Sequence, residues 1–277
     1  MTLITSTSNP RIVKVRDLHT TRGRKKSGLF LMEGPHLLAA LLDAHITPRE
    51  VYYQPALMQR TAQGRDLLAR LLQTVEPEAR FEVSERVSES LADAQTSQGV
   101  VSVLPLDAFD PVRLKARRAP ATRPALLVLD TITDPGNMGT ILRTALAADV
   151  EAVLLTPGCV DCFNPKVVRA AAGAHIALPI ESDLSWPAIA EQVTQHCIGE
   201  PRVLLAEAGS QHLYYQQDLA RPFALITGSE AHGPSPQARQ LATLTISIPL
   251  ANAVESLNAA MATGIILYES VRQQHIE

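Results

Sequence analysis

The chain has 277 residues, 46% of them apolar and only 4% aromatic, with a formal net charge of −3. That length accommodates two domains, and cores built from Ala, Leu, Val and Ile rather than aromatics suit helices packed on sheets. The charge is uneven: residues 1–30 carry seven basic side chains against one acid, residues 111–123 carry five more and no acid, and these two segments hold +11 on a chain whose remainder holds −14.

An acidic body with two basic segments points to a polyanion docked at chosen places; solvated tails are the plain alternative. No apolar run of about 18 residues occurs, so no membrane span is expected. The polar stretch from Met1 to Ile12 lacks the apolar core of a signal peptide, and the expected compartment is the cytoplasm. Cys159, Cys162 and Cys197 fit a reducing compartment. Cys159-Val-Asp-Cys162 lacks the second ligand pair of a zinc site, so two ordinary thiols near a loop, and no metal, are expected.

In chain order, Leu29–Met32 reads as a strand, and Gly34-Pro35 opens an apolar helix over His36–Ala44. Val51–Tyr53 is a second strand, Arg65–Leu72 is helical in pattern, and Phe81–Val83 is short and extended. Ser84 and Ser88 are candidate caps for a helix through Ala92, and Gly99–Leu104 closes the first half as a strand. Prolines 105, 111, 120 and 124 bracket the second basic cluster and stiffen a linker. The expected division is 1–106, a linker over 107–124, and 125–277.

The second half has clearer signals. Ala125–Leu129 is a continuous apolar run, as in a strand covered on both faces. Asp130–Gly136 is a turn, after which Asn137 can cap a helix over Met138–Ala148. Ala152–Leu155 is the next strand, and Asn164-Pro165 suits the start of a helix through Ala172. Buried strands are expected at Ile176–Leu178, Val203–Leu205, Phe223–Ile226 and Thr245–Ile248, and a last helix from about Ser256 to Gln273. This is an α/β domain with a largely parallel sheet, preceded by a smaller α/β domain.

Three polar loops follow three of these strands: Asp134-Pro-Gly-Asn-Met-Gly-Thr-Ile-Leu-Arg143, Thr227-Gly-Ser-Glu-Ala-His-Gly233 and Pro249-Leu-Ala-Asn-Ala-Val-Glu-Ser-Leu-Asn258. Ligands of open α/β sheets bind beyond the carboxyl ends of strands, so the loops are expected to converge on one site. After Leu129 only Gly136 and Gly139 are available. That rejects the Gly-x-Gly-x-x-Gly fingerprint, and with it a nicotinamide enzyme or the common methyltransferase fold; a P-loop is also absent.

Asn137-x-Gly139-x-x-x-Arg143-Thr-Ala, Gly228-x-Glu230-x-x-Gly233, and Ile248-Pro249 followed by Ser256-Leu257-Asn258 resemble, in order and spacing, the three motifs of the SpoU (TrmH-type) RNA ribose methyltransferases of the SPOUT class. The resemblance covers roughly 125–273. Phe30-Leu-Met-Glu-Gly34 and the helix after it are similar to the substrate-binding domain of such enzymes. Ala231-His232 departs from a stretch that is expected to be rich in Gly or Lys, and Ala251-Asn252-Ala253 replaces a more glycine-like turn.

The resemblance implies a C-terminal trefoil knot, an exception to the rule that chains avoid knots. It implies S-adenosylmethionine as the methyl donor, with Gly228, Ile248 and Leu257 at the cofactor. It implies a homodimer through the C-terminal domain and transfer to a ribose 2′-hydroxyl of RNA, with ribosomal RNA favoured. A tRNA ribose methyltransferase and a non-catalytic RNA-binding protein of the same fold are the alternatives.

Arg143 matches the family's key arginine. A guanidinium stays protonated, so gripping a phosphate and stabilising a developing alkoxide is its physically sensible role. Asn137 and Asn258 would orient Arg143 or the nucleotide, and Glu230 would pair with an arginine or hold its loop. Ser256 would bond the ribose or cap the last helix. Arg11, Lys14, Arg24, Lys25 and Lys26 are the expected RNA contacts of the first domain.

Overall fold

The computed structural model of the protein describes residues 3–93, 97–117, 125–197, 200–229 and 232–275. The chain forms two compact units, one of residues 1–110 with 163–176, the other of residues 111–162 with 177–277.

The first unit begins with two short helices that the sequence reading passed over, α1 (Pro10–Asp17) and α2 (Thr21–Ser27). Asn9 caps α1 through the backbone N–H of Arg11, and Pro10 sits in the first turn, where its missing N–H costs nothing. Gly28, at φ 67°, ends α2 in the left-handed conformation. The chain continues through β1 (Leu29–Glu33), α3 (Pro35–Asp43), β2 (Glu50–Tyr53), α4 (Pro55–Met58) and α5 (Ala62–Thr74), then β3 (Arg80–Glu82), α6 (Glu85–Leu91) and β4 (Val100–Pro105). The four strands lie in the order β1-β4-β2-β3, with only β2 and β3 parallel. One face packs Ile12, Val15 and Leu18 of the α1 region and Val87 and Leu91 of α6; the other packs Leu38 and Leu42 of α3 and Leu67, Leu68 and Leu71 of α5.

The second unit runs α7 (Pro111–Arg117), β5 (Ala125–Asp130), α8 (Pro135–Ala147) and β6 (Ala152–Leu155). After α9 (Pro165–Ala170) it resumes with β7 (Ile180–Glu181), α10 (Trp186–His196), β8 (Val203–Ala206), β9 (Phe223–Gly228), α11 (Pro236–Leu241), β10 (Leu244–Ile246) and α12 (Ala259–Gln274). Its six strands are all parallel, in the order β10-β8-β9-β5-β6-β7. The largely parallel sheet expected from the apolar runs is present, and β5 is buried at every position.

Several boundaries differ from the sequence reading. Residues 111–117 of the expected linker are helical, and residues 118–124 lie outside the described residues. Ile176–Leu178 is not a strand. Ala174–Ile176 is a 3₁₀ turn after Gly173, at φ 93°, and the strand comes four residues later at Ile180. α8 starts three residues before Met138, because Asp134 and not Asn137 is its cap: the Asp134 carboxylate accepts from the Asn137 N–H at 2.7 Å.

α9 follows β6 in sequence but belongs to the first unit. Phe163 packs on Phe30 at 4.7 Å between ring centroids, and Phe30 meets Phe109 edge-on at 5.1 Å. Val167 and Val168 are buried, and Arg169 pairs with Asp93 at 2.5 Å. A segment packed in this way unfolds with its spatial neighbours rather than its sequence neighbours. In native-state hydrogen exchange with added denaturant, the α9 amides should lose protection together with β1 and not with β6; loss together with β6 contradicts this assignment.

Candidate active site

The carboxyl ends of β8, β9 and β10 open on a cavity of about 270 Å³. Ile246, Ile248, Leu250, Leu257 and Ile266 give it apolar walls, with Glu207, Ser229 and Ser256 as polar groups. The residues expected at the cofactor, Gly228, Ile248 and Leu257, therefore lie around one space, and Ser256 joins them. A second cavity, of about 210 Å³, is lined by Thr131, Thr133, Asp134, Asn137 and His232, and shares Ser229 and Ala259 with the first. Apolar walls for a flat heterocycle with a few polar groups at the edge are what an adenosyl compound needs, so the residues present fit S-adenosylmethionine.

Gly228 is required by the path of its own loop. A Cβ on it would lie 2.5 Å from the Pro234 nitrogen and 2.7 Å from the Gly233 carbonyl carbon. The loop after β9 doubles back onto the strand end, and the close approach is between backbone and backbone. Asp130, buried at the end of β5, holds the returning limb: its Oδ2 accepts from the Ser235 N–H at 2.7 Å and its Oδ1 from the Thr156 hydroxyl at 3.3 Å. Sequence reasoning treated Asp130 only as the start of a turn; a lone acid ending an apolar run is the signal that could have found it. Glu230 lies outside the described residues.

The last helix is capped by Asn258, and Ser256 is not its cap. Asn258 Oδ1 accepts from the Ala260 and Met261 N–H groups at 3.0 and 3.2 Å, while its Nδ2 donates to Asn137 Oδ1 at 2.9 Å. The third motif is thus tied to the first, and Asn137 keeps its own amide hydrogens for the second cavity. α12 is also tied to β9. The Thr263 hydroxyl donates to the Ala259 carbonyl at 2.7 Å, so the buried contact at 3.0 Å between Thr227 and Thr263 has Thr227 as donor. Arg143 is exposed on α8, lines neither cavity, and makes no side-chain hydrogen bond or ion pair among the described residues.

The first-unit residues separate by environment. Lys14 and Lys26 are exposed and line a single cleft, together with Arg49, which sequence reading did not single out. Lys25 is exposed outside that cleft. Arg11 also lines the cleft but is paired with Glu50 at 2.5 Å. Arg24 is only 1% exposed and donates to the carbonyls of Leu18 and His19 at 2.9 and 3.0 Å. Its charge closes the end of α1, so Arg24 departs from the expected role and cannot reach a phosphate.

A family model described as the SpoU rRNA Methylase family matches residues 124–268. The chain belongs to that family. A second model, the MRM3-like substrate binding domain, matches residues 9–102 of this SpoU chain. An uncharacterized tRNA/rRNA methyltransferase of Synechocystis is 38% identical over 98% of this chain and 94% of its own. The 23S rRNA (guanosine(2553)-2′-O)-methyltransferase RlmP of Bacillus subtilis is 28% identical over 97% of this chain and 98% of its own. The AdoMet-bound rRNA methyltransferase structure from Sinorhizobium meliloti superposes with a TM-score of 0.81 at 27% identity, covering 100% of this chain and 98% of the other.

Gly228→Ala should displace the Gly233-Pro234 limb and with it one wall of the cofactor cavity. The expected result by calorimetry is at least a tenfold loss of S-adenosylmethionine affinity in a protein that still unfolds cooperatively; unchanged affinity would show that the loop relaxes freely.

Proposed function

We propose that this protein transfers the methyl group of S-adenosylmethionine to a ribose 2′-hydroxyl of ribosomal RNA. The observation that carries the reading is the pair of adjoining cavities at the ends of the parallel strands, built from the three family motifs and sharing Ser229 and Ala259. The first cavity takes the methyl donor, and the second, with Asn137 in its wall, takes the acceptor ribose. Ribosomal RNA is favoured over tRNA because the Bacillus relative, matched along nearly its whole length, acts on 23S rRNA. A non-catalytic role is disfavoured because the motif arginine, Arg143, is retained and the Asn137–Asn258 pair is formed.

When bound, the cofactor supplies an electrophilic methyl group on a sulfonium. The protein's task is to align the attacking oxygen, exclude water and receive a proton. Asn137, held through its Oδ1 by Asn258, offers its amide hydrogens to the acceptor nucleotide. Ser256, exposed at the rim of the donor cavity, is placed to bond a ribose. The hydroxyl proton goes to the substrate phosphate or to water, and Asp134 and His232, the titratable groups of the acceptor wall, are further candidates to receive it. Arg143, exposed and without a partner among the described residues, grips a substrate phosphate and stabilises the charge developing on the oxygen.

The C-terminal segment supports the knotted reading. After β10, at the sheet edge, Ile248, Leu250, Ser256 and Leu257 line the donor cavity, and Asn258 bonds α8, the helix that follows β5. The homodimer reading gains support from α12. Its small residues Ala259, Ala260 and Ala262 serve its own chain, but Met261 and Tyr268 lie seven residues apart on one face, 58% and 49% exposed. Such a stripe suits a second copy of the chain. Light scattering at micromolar concentration should give twice the mass of the chain, and Met261→Glu with Tyr268→Glu should return it to the mass of one.

Arg143→Ala should reduce turnover at least a hundredfold with nearly unchanged S-adenosylmethionine affinity, because the lost interaction strengthens in the transition state. Arg143→Lys should restore little, since lysine lacks the planar fork. The decisive measurement maps 2′-O-methyl groups in ribosomal RNA from cells with and without the protein. A missing site restored by the wild type and not by Arg143→Ala is the expected outcome, and an unchanged methylation map would falsify the reading.

A further inference from the structure

The first unit carries a cleft of about 800 Å³ against α1 and α2, larger than either cavity of the second unit. Its floor is apolar, with Val15, Leu18, Leu29 and Val103. Around it stand Lys14, Lys26 and Arg49, all exposed, none with a side-chain ion pair or hydrogen bond among the described residues. Free cations around an apolar floor are matched by a ligand that is anionic at its edge and flat and weakly polar at its centre.

One wall of the cleft is a prepared stacking surface. The Arg11 guanidinium lies 4.2 Å from the centroid of Phe81, and Phe81 stacks on Tyr52 at 5.3 Å with 28° between the rings. Glu50 fixes both ends of this stack: its Oε1 receives Arg11 at 2.5 Å and its Oε2 receives the Tyr52 hydroxyl at 2.6 Å. Burial and the neighbouring Glu50 push the Tyr52 hydroxyl far above the usual tyrosine range, so it stays a donor. Phe81 thus backs the guanidinium on one side. The Arg11 side chain remains 44% exposed and lines the cleft, while Phe81 does not.

We propose that this cleft holds one unpaired nucleotide of the RNA, its base stacked on the open face of Arg11 and its flanking phosphates on Lys14, Lys26 and Arg49. The inference rests on the reading that the substrate is RNA and adds which feature of it the first unit selects. An A-form duplex offers phosphates but keeps its base faces covered, so a guanidinium backed by Phe81 and paired with Glu50 is matched by an unstacked base. The arrangement also separates the roles of the basic residues: Lys14, Lys26 and Arg49 attract any RNA, and Arg11 distinguishes an open strand from a closed one.

The test uses the full chain and three probes: an eight-nucleotide single-stranded RNA with a central 2-aminopurine, a blunt sixteen-base-pair RNA duplex, and an oligoglutamate of the same charge as the single strand. The single strand should bind most tightly, and its 2-aminopurine fluorescence should be quenched on binding. Arg11→Lys keeps the charge and loses the plane. It should weaken single-strand binding by roughly 5- to 150-fold, the range for losing one base stack, and leave the salt slope unchanged. Replacing Lys14, Lys26 and Arg49 together by alanine should lower that slope by up to about 2, at roughly 0.7 per phosphate contact. Lys26→Glu and Arg49→Glu, at exposed positions outside the stack, should abolish the quench and keep the proposal testable if Arg11→Lys fails to fold. Retained S-adenosylmethionine binding and an unchanged melting temperature identify the folded variants.

Equal affinity for the duplex or the oligoglutamate overturns the proposal, as does a folded Arg11→Lys protein with wild-type single-strand binding. If the wild type methylates its RNA and no cleft variant changes single-strand binding, the nucleotide site is wrong and the methyltransferase reading stands. If the wild type neither binds RNA nor methylates it, both fall.

Discussion

The second unit depends on the orientation of one side-chain amide. Two first-turn N–H groups of α12, those of Ala260 and Met261, demand an acceptor, so the Asn258 oxygen faces them and its nitrogen faces the other way, toward the Asn137 oxygen on α8. A helix cap thereby becomes a clamp between segments 121 residues apart. Each such bond contributes only about 1 kcal/mol net, so the clamp acts by fixing geometry more than by adding stability. The clamp sets the third motif across the first, and the Asp130 carboxylate does the same for the second motif through Ser235. The two adjoining cavities are the space left once these loops are drawn together.

What could be read from residues alone follows from this. The strands of the second unit were legible because each is a short apolar run that a parallel sheet buries on both faces; β5, β6 and β9 appear nearly where expected. Ile176–Leu178 has the same composition, yet the left-handed Gly173 and the buried His175 turn the chain there, and no run of hydrophobicity reports that. The start of α8 was ambiguous in kind, because Asp134 and Asn137 are both good caps. Pro135 decides between them, since it lacks the N–H that a first-turn residue leaves unused. Ser185 ahead of Trp186-Pro187 carried the same type of signal for α10 and was passed over.

For the site, motif order placed Gly228, Ile248, Ser256 and Leu257 around one space, but the reason for Gly228 was beyond sequence, because it lies in where Pro234 returns. The basic segment shows the opposite limit. A count of charges gives Arg24 the same weight as Lys25 and Lys26, although Arg24 is buried against helix-end carbonyls and the lysines face solvent. Composition locates a polyanion site to within a segment. Only burial and pairing divide that segment into residues that hold the protein and residues that hold its ligand.

The placement of α9 also bears on how the protein is made. The first unit is not complete when residue 110 has been synthesised, since Phe163, Val167 and Val168 have yet to cover their side of it. At roughly 5–20 residues per second, translation needs about 3–13 s more to reach residue 176. During that interval Phe30 has Phe109 but not yet Phe163 against it, while β5 and β6 of the second unit are being added. The nascent chain thus carries two incomplete cores at once, and its N-terminal half is an early client for whatever shields apolar surface at the ribosome exit.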